Sequence, residues 1–386
     1  MERSSARYRR ALEGLLGIPA TEGNSIEVLR NGDQIFPALL DAIRSAEVTV
    51  DFLTFVYWEA SIGEEFAHAF ADRARAGVRV RVILDALGAV SMEEKCLELM
   101  QEAGCHVEWF RPVDKLKFWE TTHRTHRKVL ICDEKVAFTG GIGIADEWRG
   151  DARNEHEWRD THFRVRGPAV CGLRAAFVQN WAEAGRPLFD PDIDKFPDQP
   201  HQGPSVVQVV RGAAQPGWTD MTTLVRALLG LAERRLRITT AYFVPDEATS
   251  QILCETADRG VDVQILIPGP HTDKRFVQLA SESQYEKLLD AGIRIWTYQP
   301  TMLHAKIMTV DGAVANVGSS NFNSRSLEFD DEVNLVVFDS RVVAELDAHF
   351  EDDIARSEPV DPSSWQERSI VQRAKEAATD LVDRHL

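Results

Sequence analysis

The sequence predicts an α/β protein, built as two similar α/β domains fused in one chain as a pseudo-twofold dimer. Two observations carry that prediction. A segment recurs 178 residues downstream, and apolar strands alternate with amphipathic helices ahead of each copy. The copies run from His126 to Gly141 and from His304 to Ser319. Each has Lys at +2, Asp at +7 and Gly at +14.

Residues 1–22 form an N-terminal segment in which Arg3, Arg7, Arg9 and Arg10 precede Leu12, Leu15, Leu16 and Ile18. A short amphipathic helix there is expected either to dip into a lipid interface or to pack on the first domain. The first domain, 23–185, carries a helical pattern at Ile35–Ala46, a strand at Val48–Tyr57, a helix at Gly63–Ala76 and a buried strand at Val78–Leu84. Pro187, Pro191, Pro197, Pro200 and Pro204 among acidic residues mark a linker over 186–204. The second domain, 205–357, repeats the order with Met221–Ala232, Leu236–Phe243, Ala248–Asp258 and Val261–Ile267. Residues 358–386 read as a C-terminal helix around Trp365, Ile370 and Leu381, either docked on the body or touching lipid.

Composition narrows the function. The chain has 386 residues, 44% of them hydrophobic and 27% charged, which excludes a largely disordered protein. No apolar run reaches the ~18 residues of a membrane span, and no signal peptide pattern opens the chain. Five scattered cysteines without a C-x-x-C spacing argue against a disulfide framework or a zinc site, and for a reducing compartment. A net charge of −17 argues against coating nucleic acid, so no nucleic-acid partner is expected.

The repeated motif carries the chemistry. Residues two apart on a strand share a face, so His126 projects with Lys128 and His304 with Lys306. Asp311-Gly312 signals a tight hairpin in which Val310 faces Ala313. That register sets Ser319 beside His304 and Gly141 beside His126. Gly140, Gly141, Gly318, Ser319 and Asn321 would then let backbone and polar groups close on a phosphate. Asp133 and Asp311 belong to the candidate catalytic set, although their place at the turns makes them turn formers first. A duplicated His/Lys cluster suits a phosphodiester. One imidazole attacks phosphorus, the other protonates the leaving oxygen, and two lysines neutralise the pentacoordinate state without a metal.

Each imidazole also needs its second nitrogen oriented. Glu332 and Asp160 open two equivalent strands, and the expected pairs are Glu332 with His304 and Asp160 with His126. A solvated acid at a strand start is the alternative for both. Tyr57, Trp58, Tyr242 and Phe243 end equivalent strands, where they either line a groove or pack in the core. The stretch Glu147–Glu157 mixes acids with arginines and a histidine, and reads as a solvated loop before an entrance-lining one.

The two motifs resemble those of the phospholipase D superfamily. Trp158-Arg-Asp-Thr-His162 with Gly167-Pro168, Ala241-Tyr-Phe-Val-Pro-Asp246, Tyr298 to Lys306, and Gly318 to Ser326 are similar to bacterial cardiolipin synthases, in the branch without N-terminal membrane spans. The similarity runs from about Gly23 to Ser357. It implies transfer of a phosphatidyl group from phosphatidylglycerol or a related lipid, through a histidine, to an alcohol. It also implies His126 as nucleophile, His304 as acid and then base, and neither metal nor cofactor. Phospholipid and a membrane surface would be the partners, and a monomer bound peripherally at the inner face of the cell membrane the expected state. Hydrolytic phospholipase D, another phosphodiesterase, and more remotely a nuclease or a silent scaffold are the rival functions. One departure stands out: Gly143 occupies a position where these synthases have asparagine.

Overall fold

The computed structural model describes residues 2–112, 123–188, 196–213, 219–273 and 285–361. After helix α1 (Glu2–Leu16), the first half runs β1 (Thr21–Arg30), α2 (Asn31–Ser45), β2 (Thr49–Thr54), α3 (Ser61–Arg75), β3 (Arg79–Asp85), α4 (Glu94–Glu102), β4 (His106–Phe110), β5 (Val129–Cys132), β6 (Val136–Gly140), β7 (Thr161–Arg166) and α5 (Ala169–Glu183). The second runs β8 (Ser205–Gly212), α6 (Asp220–Leu231), β9 (Arg235–Thr239), β10 (Phe243–Val244), α7 (Glu247–Asp258), β11 (Asp262–Pro268), β12 (Arg294–Tyr298), β13 (Ile307–Val310), β14 (Val314–Gly318), β15 (Phe322–Asn323), β16 (Glu332–Val337), α8 (Ser340–Ile354) and β17 (Ser357–Pro359). Helix starts follow side-chain chemistry: Thr219, Asp246 and Asp339 accept the backbone N–H of Thr222, Thr249 and Arg341.

Among the described residues fifteen of the strands form one sheet, in the order β17-β12-β11-β9-β13-β14-β16-β8-β1-β7-β6-β5-β2-β3-β4, and β10 and β15 pair separately. Read outward from the antiparallel pair β1–β8, the two sides repeat the same strand order, so a pseudo-twofold axis passes through that pair. Helices α2, α3 and α4 cover the outer face of the first half through Ile35, Leu39, Phe66, Phe70 and Met100. Helices α6 and α7 do the same for the second through Leu224, Leu228 and Leu253. A third core joins the halves: α5 and α8 pack with Val129, Ile131, Phe163, Ile307, Val317 and Leu335. Asp51, which interrupts the apolar run of β2, is buried against Arg81 through two hydrogen bonds of 2.7 and 2.6 Å.

Helix α1 packs on the second half, not on the first. Tyr8 and Leu12 are fully buried in the second core, and the Tyr8 hydroxyl donates to Asp311 Oδ2 at 2.5 Å. Arg7 pairs with Glu233, while Arg9 pairs with Glu13 and Glu22, so much of the basic run is already engaged. The C-terminal helix expected within 358–386 falls almost wholly outside the described residues; β17, at its start, pairs with edge strand β12.

The hairpins correct the expected register by one residue. Val310 pairs with Val314 and Cys132 with Val136, leaving three-residue loops in which Asp133, Glu134, Asp311 and Gly312 have φ of 53°, 56°, 55° and 66°. The tight turn does form, with Ala313 N–H on the Val310 carbonyl at 3.0 Å, but one further residue is inserted as a bulge. That extra residue moves Ser319 off the position opposite His304.

Asp133 and Asp311 are at the turns, as the sequence reads them first, and their place in the catalytic set is what the structure corrects. Both lie at the far end of their strands from the histidines. Asp133 accepts the N–H groups of Glu47, Val48 and Thr49, and Asp311 those of Glu233, Arg234 and Arg235. These contacts fasten each hairpin to the start of the neighbouring antiparallel strand, β2 or β9. Asp133→Ala should therefore destabilise the fold by about 2–4 kcal/mol, since three backbone donors lose a charged acceptor. Turnover per folded molecule should persist. A urea midpoint unchanged by the substitution would contradict the assignment.

Candidate active site

His126 and His304 stand just before β5 and β13, at the sheet edge where β2 and β9 end. The other half receives each of them. The His126 N–H donates to the Asp331 carbonyl at 2.9 Å, and the His304 N–H to the Arg159 carbonyl at 2.7 Å. Short parallel bridges, Thr125 with Asp331 and Arg159 with Leu303, run beside these contacts. Both half-sites are thus built from both halves of the chain.

The carboxylates cross in the same way, reversing the expected pairing. His126 Nδ1 lies 2.9 Å from Glu332 Oε1, and His304 Nδ1 lies 2.8 Å from Asp160 Oδ2. The reason is strand order. Strands β7 and β16 flank the central β1–β8 pair, so their first residues face the opposite half, while β5 and β13 lie two strands farther out. Both carboxylates are fully buried, so neither is a solvated strand-start acid.

Burial dominates the electrostatics. It pushes the imidazoles of His126 and His304 down to about 4, with Lys128 and Lys306 adding to the effect beside their own histidines. Burial also lowers Lys128 to about 7 and Lys306 to about 8. For Asp160 and Glu332 burial acts upward, but the hydrogen bonds and charges of His304 and His126, with the lysines, outweigh it and hold both below the usual carboxylate range. Lys306 Nζ lies 3.1 and 3.2 Å from the two ring nitrogens of His304. Lys128 Nζ donates to the His126 carbonyl at 2.8 Å and sits 5.8 Å from the Phe55 ring centre. Two poorly solvated cations and two neutral imidazoles, backed by ionised carboxylates, make a site that gains stability when an anion enters.

Two of the small residues stand against the carboxylates, Gly141 at Asp160 and Ser319 at Glu332, and two against the neighbouring strands, Gly140 at His162 and Gly318 at Val333. A Cβ on Gly141 would lie 2.2 Å from Asp160 Oδ1, and one on Gly140 would lie 2.5 Å from His162 Nδ1. A Cβ on Gly318 would meet the Val333 carbonyl at 2.3 Å. The Ser319 hydroxyl donates to Glu332, its N–H is held by the Val333 carbonyl at 3.1 Å, and its own carbonyl lies 3.1 Å from His126 Nδ1. Ser319 therefore serves the other half's histidine. Asn321 keeps its place: buried beside Lys306 in a pocket with Asn316, Ser320 and Asn334, it leaves Oδ1 without a hydrogen-bond partner. At the equivalent Gly143 a Cβ would come within 2.6 Å of Val56 and 3.2 Å of Trp148, so the asparagine is missing for want of space.

Two further walls close the site, one in a stretch that the sequence reads first as a solvated loop and second as an entrance-lining one, the other unsignalled in the sequence. The first is the stretch Glu147–Glu157. Its middle is exposed, but Trp148 is buried and donates its indole N–H to Asp160 Oδ2 at 2.9 Å. The Trp148 and Trp158 rings lie 5.2 and 5.7 Å from His304. The second wall is Phe55, 5.4 Å from His126. Of the four strand-end aromatics, Tyr242 borders His304 at 6.5 Å, Tyr57 and Phe243 lie in the core, and Trp58 packs tilted against Trp148 at 6.1 Å. Arg159, beside Asp160, is buried against Asp353, and Arg127 holds the Glu332 carbonyl. A charged residue between His and Lys, on the face opposite to both, was the one available sign that this face meets another domain. Among the described residues no group of three or more His, Cys, Asp and Glu is arranged to hold a metal, and no helix is long and apolar enough to cross a membrane.

Comparison with known proteins places this geometry. The family described as "Cardiolipin synthase, PLD-like domain" matches residues 39–154 and again 225–354. The chain is 33% identical over 374 residues to cardiolipin synthase 1 of Bacillus anthracis, covering 95% of this chain and 73% of that protein. It is 32% identical to a cardiolipin synthase of Geobacillus sp. (strain WCH70), over 94% of this chain and 73% of the other. In fold it matches the crystal structure of phosphatidylserine synthase from Haemophilus influenzae Rd KW20, with a TM-score of 0.76 at 14% identity, over 98% of this chain and 100% of that one. With the domain present twice and both histidine–lysine pairs at one centre, the chain belongs to the cardiolipin synthase family of phospholipase D-like transferases.

Proposed function

We propose that the protein is a phosphatidyltransferase that moves a phosphatidyl group from phosphatidylglycerol or a related phospholipid to an alcohol, through a phosphohistidine. The observation that supports this most is the crossed pair of half-sites, each with a histidine, a carboxylate on its Nδ1 and a lysine. In the first step the His126 Nε2 lone pair attacks phosphorus and the bond to the headgroup oxygen breaks. His304 gives its Nε2 proton to that oxygen, and the alcohol leaves. In the second step an acceptor alcohol passes its proton to His304 and attacks phosphorus, and the N–P bond breaks. Lys128, Lys306 and Asn321 hold the phosphoryl oxygens. The entering diester's charge raises the proton affinity of both imidazoles, so His304 takes up the proton it needs from solvent as the substrate binds.

Because the lipid resides in a bilayer, the protein works as a peripheral enzyme at a membrane surface. Both half-sites lie in one chain, so a monomer suffices. The test is product analysis by mass spectrometry on phosphatidylglycerol vesicles, with and without phosphatidylethanolamine. Cardiolipin with free glycerol or ethanolamine is the expected result. Phosphatidic acid alone would assign the protein to hydrolysis, and no lipid product would refute the reading.

A further inference from the structure

The two carboxylates behind the histidines hold different second donors. Glu332 keeps its partners on separate oxygens, His126 Nδ1 on Oε1 at 2.9 Å and the Ser319 hydroxyl on Oε2. His126 Nδ1 has a further acceptor in the Ser319 carbonyl at 3.1 Å. Asp160 instead takes His304 Nδ1 at 2.8 Å and the Trp148 indole N–H at 2.9 Å on the same oxygen, Oδ2, while Oδ1 accepts the Thr161 N–H at 2.7 Å. A carboxylate oxygen that already accepts one hydrogen bond carries less charge for the next, and stabilises the imidazolium on it less.

The indole is fixed where it is. Trp148 is buried, with the Trp158 ring 4.5 Å and the Trp58 ring 6.1 Å away. It occupies the space that Gly143 leaves free, whereas the equivalent position in the second half is Asn321 and the residue equivalent to Trp148 is Ser326. The arrangement can therefore exist on one side only.

We propose that Trp148 is a positioning residue that acts through Asp160 to make His304 the readier proton donor, which leaves His126 the readier nucleophile. The inference rests on the roles proposed above for the two histidines. Gly143 and Trp148 together then break the symmetry of a duplicated site. Lys306 and Lys128 also act on His304, Asp273 acts on Lys306, and His162 lies near Asp160. None of these changes in a variant that removes only the indole N–H.

The test uses the full chain and soluble dihexanoyl phosphatidylglycerol. The pH profile of kcat, which reports the substrate complex, is compared for the unmodified protein, Trp148→Phe and Ser319→Ala. Without the indole donor, Asp160 becomes the stronger acceptor and the His304 proton affinity rises. The alkaline limb should therefore move up by roughly 0.5–1 pH unit, with kcat at the optimum falling by less than about tenfold. Ser319→Ala should move the acid limb up instead, because it acts on His126 through Glu332. Should Trp148→Phe fold poorly, benzothienylalanine at position 148 keeps the ring shape and removes only the donor. A lowered kcat with neither limb displaced in the Trp148 variants would overturn the proposal and leave Trp148 a packing residue. A displaced acid limb in those variants would support the action of the indole and reverse the roles proposed for the histidines.

Discussion

His126→Ala and His304→Ala are each expected to lower turnover by roughly 10³–10⁴-fold or more, because no other group in the site can replace a missing nucleophile or acid. The two variants should differ in what they trap. With phosphatidyl-p-nitrophenol, whose leaving group needs no proton, His304→Ala should still become labelled with the phosphatidyl group after rapid denaturation. His126→Ala should not. Label retained on His126→Ala and lost from His304→Ala would exchange the two roles without touching the phosphohistidine. Absence of label from the unmodified protein under the same quench would count against a covalent intermediate.

The carboxylate variants are expected to follow the crossed pairing. Asp160→Asn and Glu332→Gln keep size and lose charge, and each should cost roughly 10²–10⁴-fold in kcat through the imidazole it orients. Because Asp160 Oδ2 lies 2.8 Å from His304 Nδ1, Asp160→Asn should behave like His304→Ala and retain the labelled intermediate. Because Glu332 Oε1 lies 2.9 Å from His126 Nδ1, Glu332→Gln should behave like His126→Ala and label poorly. The same label assay decides between this and pairing within each half, which predicts the opposite assignment. Far-ultraviolet circular dichroism and the urea midpoint separate a loss of chemistry from a loss of fold.

How far the chain could be read without coordinates is clearest at particular residues. The helical pattern at Ile35–Ala46 matches α2, and the apolar run at Val261–Ile267 matches β11 to within a residue at each end. Such features are local: burial on one face imposes a period of 3.6 or 2 on the chain, and that period is written in neighbouring residues. The His/Lys pairs were legible for the same reason, since residues two apart on extended chain, here the approach to β5 and β13, need no knowledge of the rest of the fold. Asn321 was legible from the Gly318–Asn321 stretch that follows the second motif, not from the repeat, which has Gly143 in its place.

What the tertiary structure alone decided lies between elements distant in sequence. One bulged residue in each hairpin displaced Ser319 and carried it to the other half's histidine. Strand order about the β1–β8 pair sent Asp160 and Glu332 across the pseudo-twofold axis. Trp148 sits in a stretch that reads as solvated because Arg149, Asp151, Arg153, Glu155 and Glu157 surround it, and the space that Gly143 leaves decides its burial. Helix α1 passed over the adjacent domain because the buried acceptor for Tyr8, Asp311, belongs to the second half. The sequence by itself determined which residues carry charge and chemistry and which face of each element is buried. Only the packing of one half against the other determined which partner each met, because contacts across a pseudo-twofold axis leave no period in the chain.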